Sequence, residues 1–159
     1  MLIFEDLFVT LTVTIKYIMS ASTKLSAAVK ALVYLAKDYP SAKNSVEISE
    51  FTGLNASKLR KILSMLVKDG IVDSTSGTTG GFRLIKNPSK IDLQEIYCAI
   101  EDRKAFHLDV NKTDGKTSFE TSKLNAYFLD LFSTIQVDIE DRMRNITLQS
   151  IIDQIKINT

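Results

Sequence analysis

Residues 44 to 86 carry three local signals in a fixed order. A short helical pattern lies in NSVEISEFTGLN, a longer one in ASKLRKILSMLVKDG, and two apolar runs flank the glycines of IVDSTSGTTGGFRL. Gly53 falls between the two helical patterns, where a tight turn calls for a residue tolerant of positive φ. Asn55 is placed to cap the second helix. From Leu59 the apolar residues recur at Ile62, Leu63, Leu66 and Val67, the spacing of an amphipathic helix with one buried face. Gly70 stands where many helices end. Ile71 and Val72 before Gly77 to Gly81, and Phe82, Leu84 and Ile85 after, read as two strands around a flexible tip. Helix, turn, helix and hairpin in this order make a winged helix-turn-helix. The fold expected is mainly α with a small β-hairpin wing.

The second helix also suggests a ligand. Opposite its apolar stripe lie Ser57, Lys61, Ser64 and Lys68, flanked by Lys58 and Arg60, with no acid among them. Hydrogen-bond donors and positive charge on one helix face suit the major groove of double-stranded DNA. Taken alone, these cations describe a solvated helix face equally well. Joined to the turn and the wing, they point to DNA. The net charge of +1 hides an asymmetry: residues 19 to 91 hold 11 Lys/Arg and 5 Asp/Glu, net +6, whereas residues 92 to 159 hold 8 and 12, net −4. The basic half is the half that contains the helix-turn-helix, as attraction to phosphate requires.

This divides the 159 residues into an extension (1 to 18), a DNA-binding unit (19 to 91) and a linking helix, loop and long helices (92 to 159). In the extension, Val9, Leu11, Val13, Ile15 and Tyr17 alternate with Thr10, Thr12, Thr14 and Lys16, a strand pattern. Glu5 and Asp6 precede this run where a signal peptide carries positive charge, and the run is too short and Thr-rich for a membrane span. The expected location is the cytoplasm. Met19 opens a natural-looking protein, so the extension is either an additional strand or a stretch upstream of the true start.

Leu25, Ala28, Val29, Leu32, Leu35 and Ala36 mark a helix over Ser22 to Lys37. Leu93, Ile96, Tyr97 and Ile100 mark another over Ile91 to Glu101. Residues 102 to 120 read as a polar loop. Beyond it Leu124, Tyr127, Phe128, Leu131, Phe132, Ile135, Ile139 and Met143 form a wide apolar stripe on a helix of about 20 residues, roughly 30 Å long. Leu148, Ile151, Ile152 and Ile155 mark a last helix. The stripe exceeds what a small domain readily covers, so pairing with a second copy through Leu124 to Ile139 is expected. Packing within one chain is the alternative.

VEISEFTGLNASKLRKIL followed by LVKDGIVDSTSGTTGGFRL resembles the helix-turn-helix and wing of the Rrf2 family of bacterial transcription regulators. IDLQEIYCAIED resembles that family's linking helix and NITLQSII its final helix, so the likeness runs from about Ser22 to Ile155. The resemblance implies a dimeric DNA-binding regulator, with repression the expected sign, whose recognition helix reads the major groove and whose wing reaches the minor groove. The implied DNA contacts are Ser22, Thr23 and Lys24, then Ser57, Lys58, Arg60, Lys61 and Ser64, the wing residues Ser76, Gly77, Thr78, Thr79, Gly80 and Gly81, and Lys86. Arg60 is the expected base reader because its two-donor fork matches guanine; Lys58, Lys61 and Lys86 are the expected phosphate contacts.

Four departures from the family pattern alter the expectations. Cluster-binding members carry three closely spaced cysteines before the long helix, but RKAFHLDVNKTDGKTSFETSK has none, and Asn125 stands where those members have a histidine. No iron-sulfur cluster, other cofactor or metal is expected. Ser76 replaces an arginine before the wing glycines, and Arg60 replaces an acid on the recognition helix, so the family's operator sequences do not transfer.

Cys98 is the chain's one cysteine. A lone thiol in a reduced compartment is ordinarily an inert small hydrophobe. Yet Cys98 falls about 140° from the centre of its helix's apolar side, near a surface, which leaves a thiol switch open as a second reading. His107, the sole histidine, reads as a solvated loop residue. One His, one Cys and no Ser/His/Asp arrangement argue against an enzyme. A winged helix devoted to protein contacts is the other alternative, distinguished by lacking a basic recognition face.

Overall fold

The computed structural model describes residues 23–77, 80–101 and 118–155. The strand expected over Phe8 to Ile18, the loop residue His107, and the DNA contacts Ser22, Thr78 and Thr79 lie outside them. The elements run α1 (Thr23–Ala36), α2 (Ser45–Thr52), α3 (Ala56–Lys68), β1 (Val72–Thr75), β2 (Gly81–Leu84), a single 3-10 turn (Pro88–Lys90), α4 (Leu93–Ile100), α5 (Phe119–Arg144) and α6 (Leu148–Ile155).

The helix-turn-helix is set by its caps. Asn44 Oδ1 accepts from the Val46 and Glu47 amides at 2.9 Å each, and Glu47 Oε2 reaches back to the Asn44 amide at 3.0 Å, closing a capping box. Gly53 ends α2 with φ 68°, in the left-handed region that other residues enter only at a cost. Asn55 then accepts from the Lys58 amide at 2.8 Å and starts α3. The stripe expected on α3 turns inward: Leu59, Ile62, Leu63 and Leu66 are buried.

The wing is a two-stranded antiparallel hairpin with Val72 opposite Leu84, Asp73 opposite Arg83, Ser74 opposite Phe82 and Thr75 opposite Gly81. Lys43 adds a rung on the free edge of β2 by exchanging two 2.8 Å backbone bonds with Phe82. A Cβ on Gly81 would sit 2.5 Å from the Lys43 carbonyl oxygen, so this close approach requires glycine. Gly81 thus belongs to the strand rather than the tip.

One core takes in residues from both sides of position 91. Ala28, Leu32 and Leu35 of α1 and the α3 stripe meet Ile71, Val72 and Leu84 of the wing, but also Ile96 and Ile100 of α4 and Leu148 and Ile152 of α6. The return of the chain is fixed by backbone bonds: the Leu93 amide donates to the Ile146 carbonyl and the Leu148 amide to the Ile91 carbonyl, both at 2.8 Å.

α5 differs from the expected helix in length and in packing. Ser118 caps it at Thr121, so it begins at Phe119 and runs 26 residues, about 39 Å at the α-helical rise. Its one buried residue is Gln136. Phe132, Ile135, Ile139 and Met143 are half-buried, whereas Leu124, Tyr127, Phe128 and Leu131 remain exposed. Among the described residues, no helix is long and apolar enough to cross a membrane.

Candidate nucleic-acid interface

The buried stripe of α3 fixes what its other side displays. With Leu59, Ile62, Leu63 and Leu66 inside, the 3.6-residue period turns Ser57, Lys58, Arg60, Lys61, Ser64 and Lys68 to solvent, and all six are exposed. The helix contains no acid. Among the described residues, none of its four cations forms an ion pair, so the face holds unneutralised positive charge.

α1 brings further charge to the same place. Thr23, Lys24, Lys58, Lys61, Ile62 and Met65 line a cleft of 290 Å³ where the start of α1 meets α3. Two of the three residues expected to contact DNA at this end, Thr23 and Lys24, therefore meet the recognition helix. Lys24 Nζ lies 3.5 Å from Glu101 Oε2, a contact that joins distant parts of the sequence and left no signature in local patterning.

The wing places Ser76 and Gly77 in solvent beside half-buried Gly80, with Gly77 at φ 111°. Arg83, assigned no role from the sequence, is exposed on β2 opposite Asp73. Its Nε and Nη2 donate to Asp73 Oδ2 at 3.1 and 2.8 Å, so its charge is balanced across the hairpin. Lys86 is half-buried and pairs with Glu95 at 2.5 Å. It is thus not part of the cleft that gathers Lys24, Lys58 and Lys61.

Cys98 is exposed on α4, and the Gln94 amide Nε2 lies 3.5 Å from its Sγ. Partial burial of the sulfur pushes the thiol pKa up, and the carboxylates of Glu140 and Asp69 push in the same direction. This is the reverse of the electropositive surroundings that activate a cysteine.

The comparisons agree with this geometry. Residues 21–154 match the Rrf2 family, described as an iron-dependent transcriptional regulator. YwgB of Bacillus subtilis, described as an HTH-type transcriptional regulator, is 28% identical over 142 residues, 86% of each chain. A protein of Neisseria meningitidis serogroup A with the same description is 30% identical over 137 residues, 86% of this chain and 89% of its own. Among solved structures, IscR of T. potens superposes with a TM-score of 0.63 at 24% identity, covering 85% of this chain and 87% of its own. CymR, the global cysteine regulator of B. subtilis, superposes at 0.64 and 19% identity, covering 85% and 97%. These two likenesses concern the fold. The relatives are transcription regulators and not enzymes, and with a helix-turn-helix presenting an acid-free basic face, this chain belongs to the Rrf2 family of DNA-binding transcription regulators.

Proposed function

We propose that the protein acts as a homodimer on a palindromic operator and represses transcription without an iron-sulfur cluster. The observation that carries the DNA reading is the outer face of α3: four cations with no ion pair among the described residues, two hydroxyls, no acid, and an adjoining cleft with Lys24. Arg60 reads a G·C pair in each half-site, while Lys58, Lys61 and Lys24 hold phosphates. Ser57 and Ser64 add short contacts, and Ser22, Thr23, Lys86 and the wing from Ser76 to Gly81 complete the surface.

Dimerisation is supported by α5, where Leu124, Tyr127, Phe128 and Leu131 are 36% to 62% exposed among the described residues. Exposed apolar stripes of this kind mark protein contacts, and a two-fold pair of α5 helices covers both at once. Two recognition helices related by that axis require a two-fold operator. A dimer seated there excludes polymerase by volume, which favours repression, and DNA as partner favours a cytoplasmic protein.

The family's iron does not fit this chain. One cysteine in the whole sequence cannot supply the thiolates that hold a cluster, and burial raises the pKa of that one. A purely protein-binding winged helix is disfavoured by the same basic face. The deciding experiment is selection of bound fragments from the host genome, followed by titration of a selected duplex in increasing salt. A log–log salt slope of several units and a two-fold motif are the expected result. Salt-independent binding, or none, would refute the DNA reading; stoichiometric iron and sulfide after anaerobic purification would refute the cluster-free part.

A further inference from the structure

The three lysines of the cleft between α1 and α3 are not equivalent. Lys58 and Lys61 have no counter-ion among the described residues, whereas Lys24 lies 3.5 Å from Glu101. Glu101 is the residue that ends α4; its amide donates to the Tyr97 carbonyl at 3.0 Å, and its neighbour Ile100 is buried in the core. The carboxylate therefore sits at the end of a helix that is anchored in the core. The pair itself is half open, with the lysine side chain 46% and the glutamate side chain 20% exposed. Ion pairs this accessible are weak enough to exchange partners with a phosphate. The same helix holds a second basic residue, Lys86, through Glu95 in its first turn.

We propose that Glu101 is an internal competitor of DNA phosphate for Lys24, so that the end of α4 sets how much positive charge the cleft offers to DNA. A phosphate entering between Lys24, Lys58 and Lys61 meets two free ammonium groups and one that must first leave its carboxylate. Whatever draws the end of α4 away from Lys24 strengthens DNA binding; whatever presses it closer weakens binding. The proposal rests on the DNA-binding reading above and adds a control point at a residue that itself has no reason to touch DNA.

The test titrates a fluorescein-labelled duplex, selected from the host genome by the full-length protein, with wild type, Glu101→Gln, Lys24→Met and the double variant. Glu101→Gln is expected to bind about two- to fivefold tighter near 0.15 M salt, with a salt slope steeper by about one. In the Lys24→Met background the same change should do nothing. Glu101→Asp, which keeps the charge on a shorter arm, should fall between wild type and Glu101→Gln, and guards against a folding defect in the neutral variant. Unchanged or weaker binding by Glu101→Gln overturns the proposal. Equal tightening in the Lys24→Met background also overturns it, because the effect would then be the general loss of one negative charge. Failure of wild type to bind any duplex overturns the DNA reading and this one with it, and is distinguishable because no variant binds either.

Discussion

α3 and α5 are both amphipathic helices with a regular apolar stripe, and their stripes have opposite fates. In α3 the stripe packs into the protein's own core, with Leu59, Leu63 and Leu66 fully buried and Val67 half-buried against it. In α5, twice as long, a glutamine is the one buried residue, and Tyr127 is 62% exposed. Periodicity thus tells which side of a helix seeks cover, but not whether the cover comes from the same chain. Where it does, the opposite face is left to solvent, as with Arg60 on α3. Where it does not, the apolar face is the surface proposed above for pairing with a second copy.

The largest break in this comparison is expected from Leu131→Asp. A charge placed in the middle of a helix–helix contact is buried without a partner, so light scattering at micromolar concentration should show a monomer in place of a dimer. A monomeric wild type would refute the role given to α5. Next comes Leu63→Ala, which leaves a cavity in the core and should lower unfolding free energy by about 2–5 kcal/mol in denaturant titration. Leu131→Ala should instead show its loss as a shift that depends on protein concentration. A large, concentration-independent loss would mean that α5 packs within its own chain.

A smaller effect sharpens the α3 side. Arg60→Ala should cost about 1–3 kcal/mol on the cognate duplex and relax preference at one base pair. Equal weakening on all duplexes would make Arg60 a phosphate contact. The smallest effect concerns Cys98. Because its thiol pKa is raised, its thiolate fraction at neutral pH is below that of a free cysteine. Alkylation by iodoacetamide should therefore be slow at pH 7 and keep rising as pH passes the ordinary cysteine value. A rate already at its plateau at pH 7 would restore the thiol-switch reading.

The helix-turn-helix was legible because its signals are local. Gly53 needs a positive φ, Asn55 caps the helix that follows it, and the α3 stripe needs only its own period. The start of α5 was missed because Ser118 begins the helix with a polar residue inside a polar stretch, where hydropathy gives no edge. The face of α4 was read only in part: Gln94 is buried there beside Ile96 and Ile100, a placement dictated by the elements packed over it. The site was legible as composition but not as pairing. The sequence marks Lys24 and Lys86 as cations in a basic segment; that Glu101 and Glu95 partly neutralise them follows only from how α4 lies against the domain.

The backbone bridge between Asp92 and Thr147 changes what the last helix means for the protein. The chain departs toward α5 and comes back at one point of the core, and α6 then supplies Leu148 and Ile152 to the packing around α1. In topological terms α5 is an insertion within a closed domain, not an appendage on its end. A chain cut after Arg144 would keep every proposed DNA contact and the whole apolar stripe, yet lose Leu148 and Ile152 from the core. Any tilt of α5 would likewise reach that domain through two anchor points, Asp92 just after the 3-10 turn and Thr147 just before the last helix.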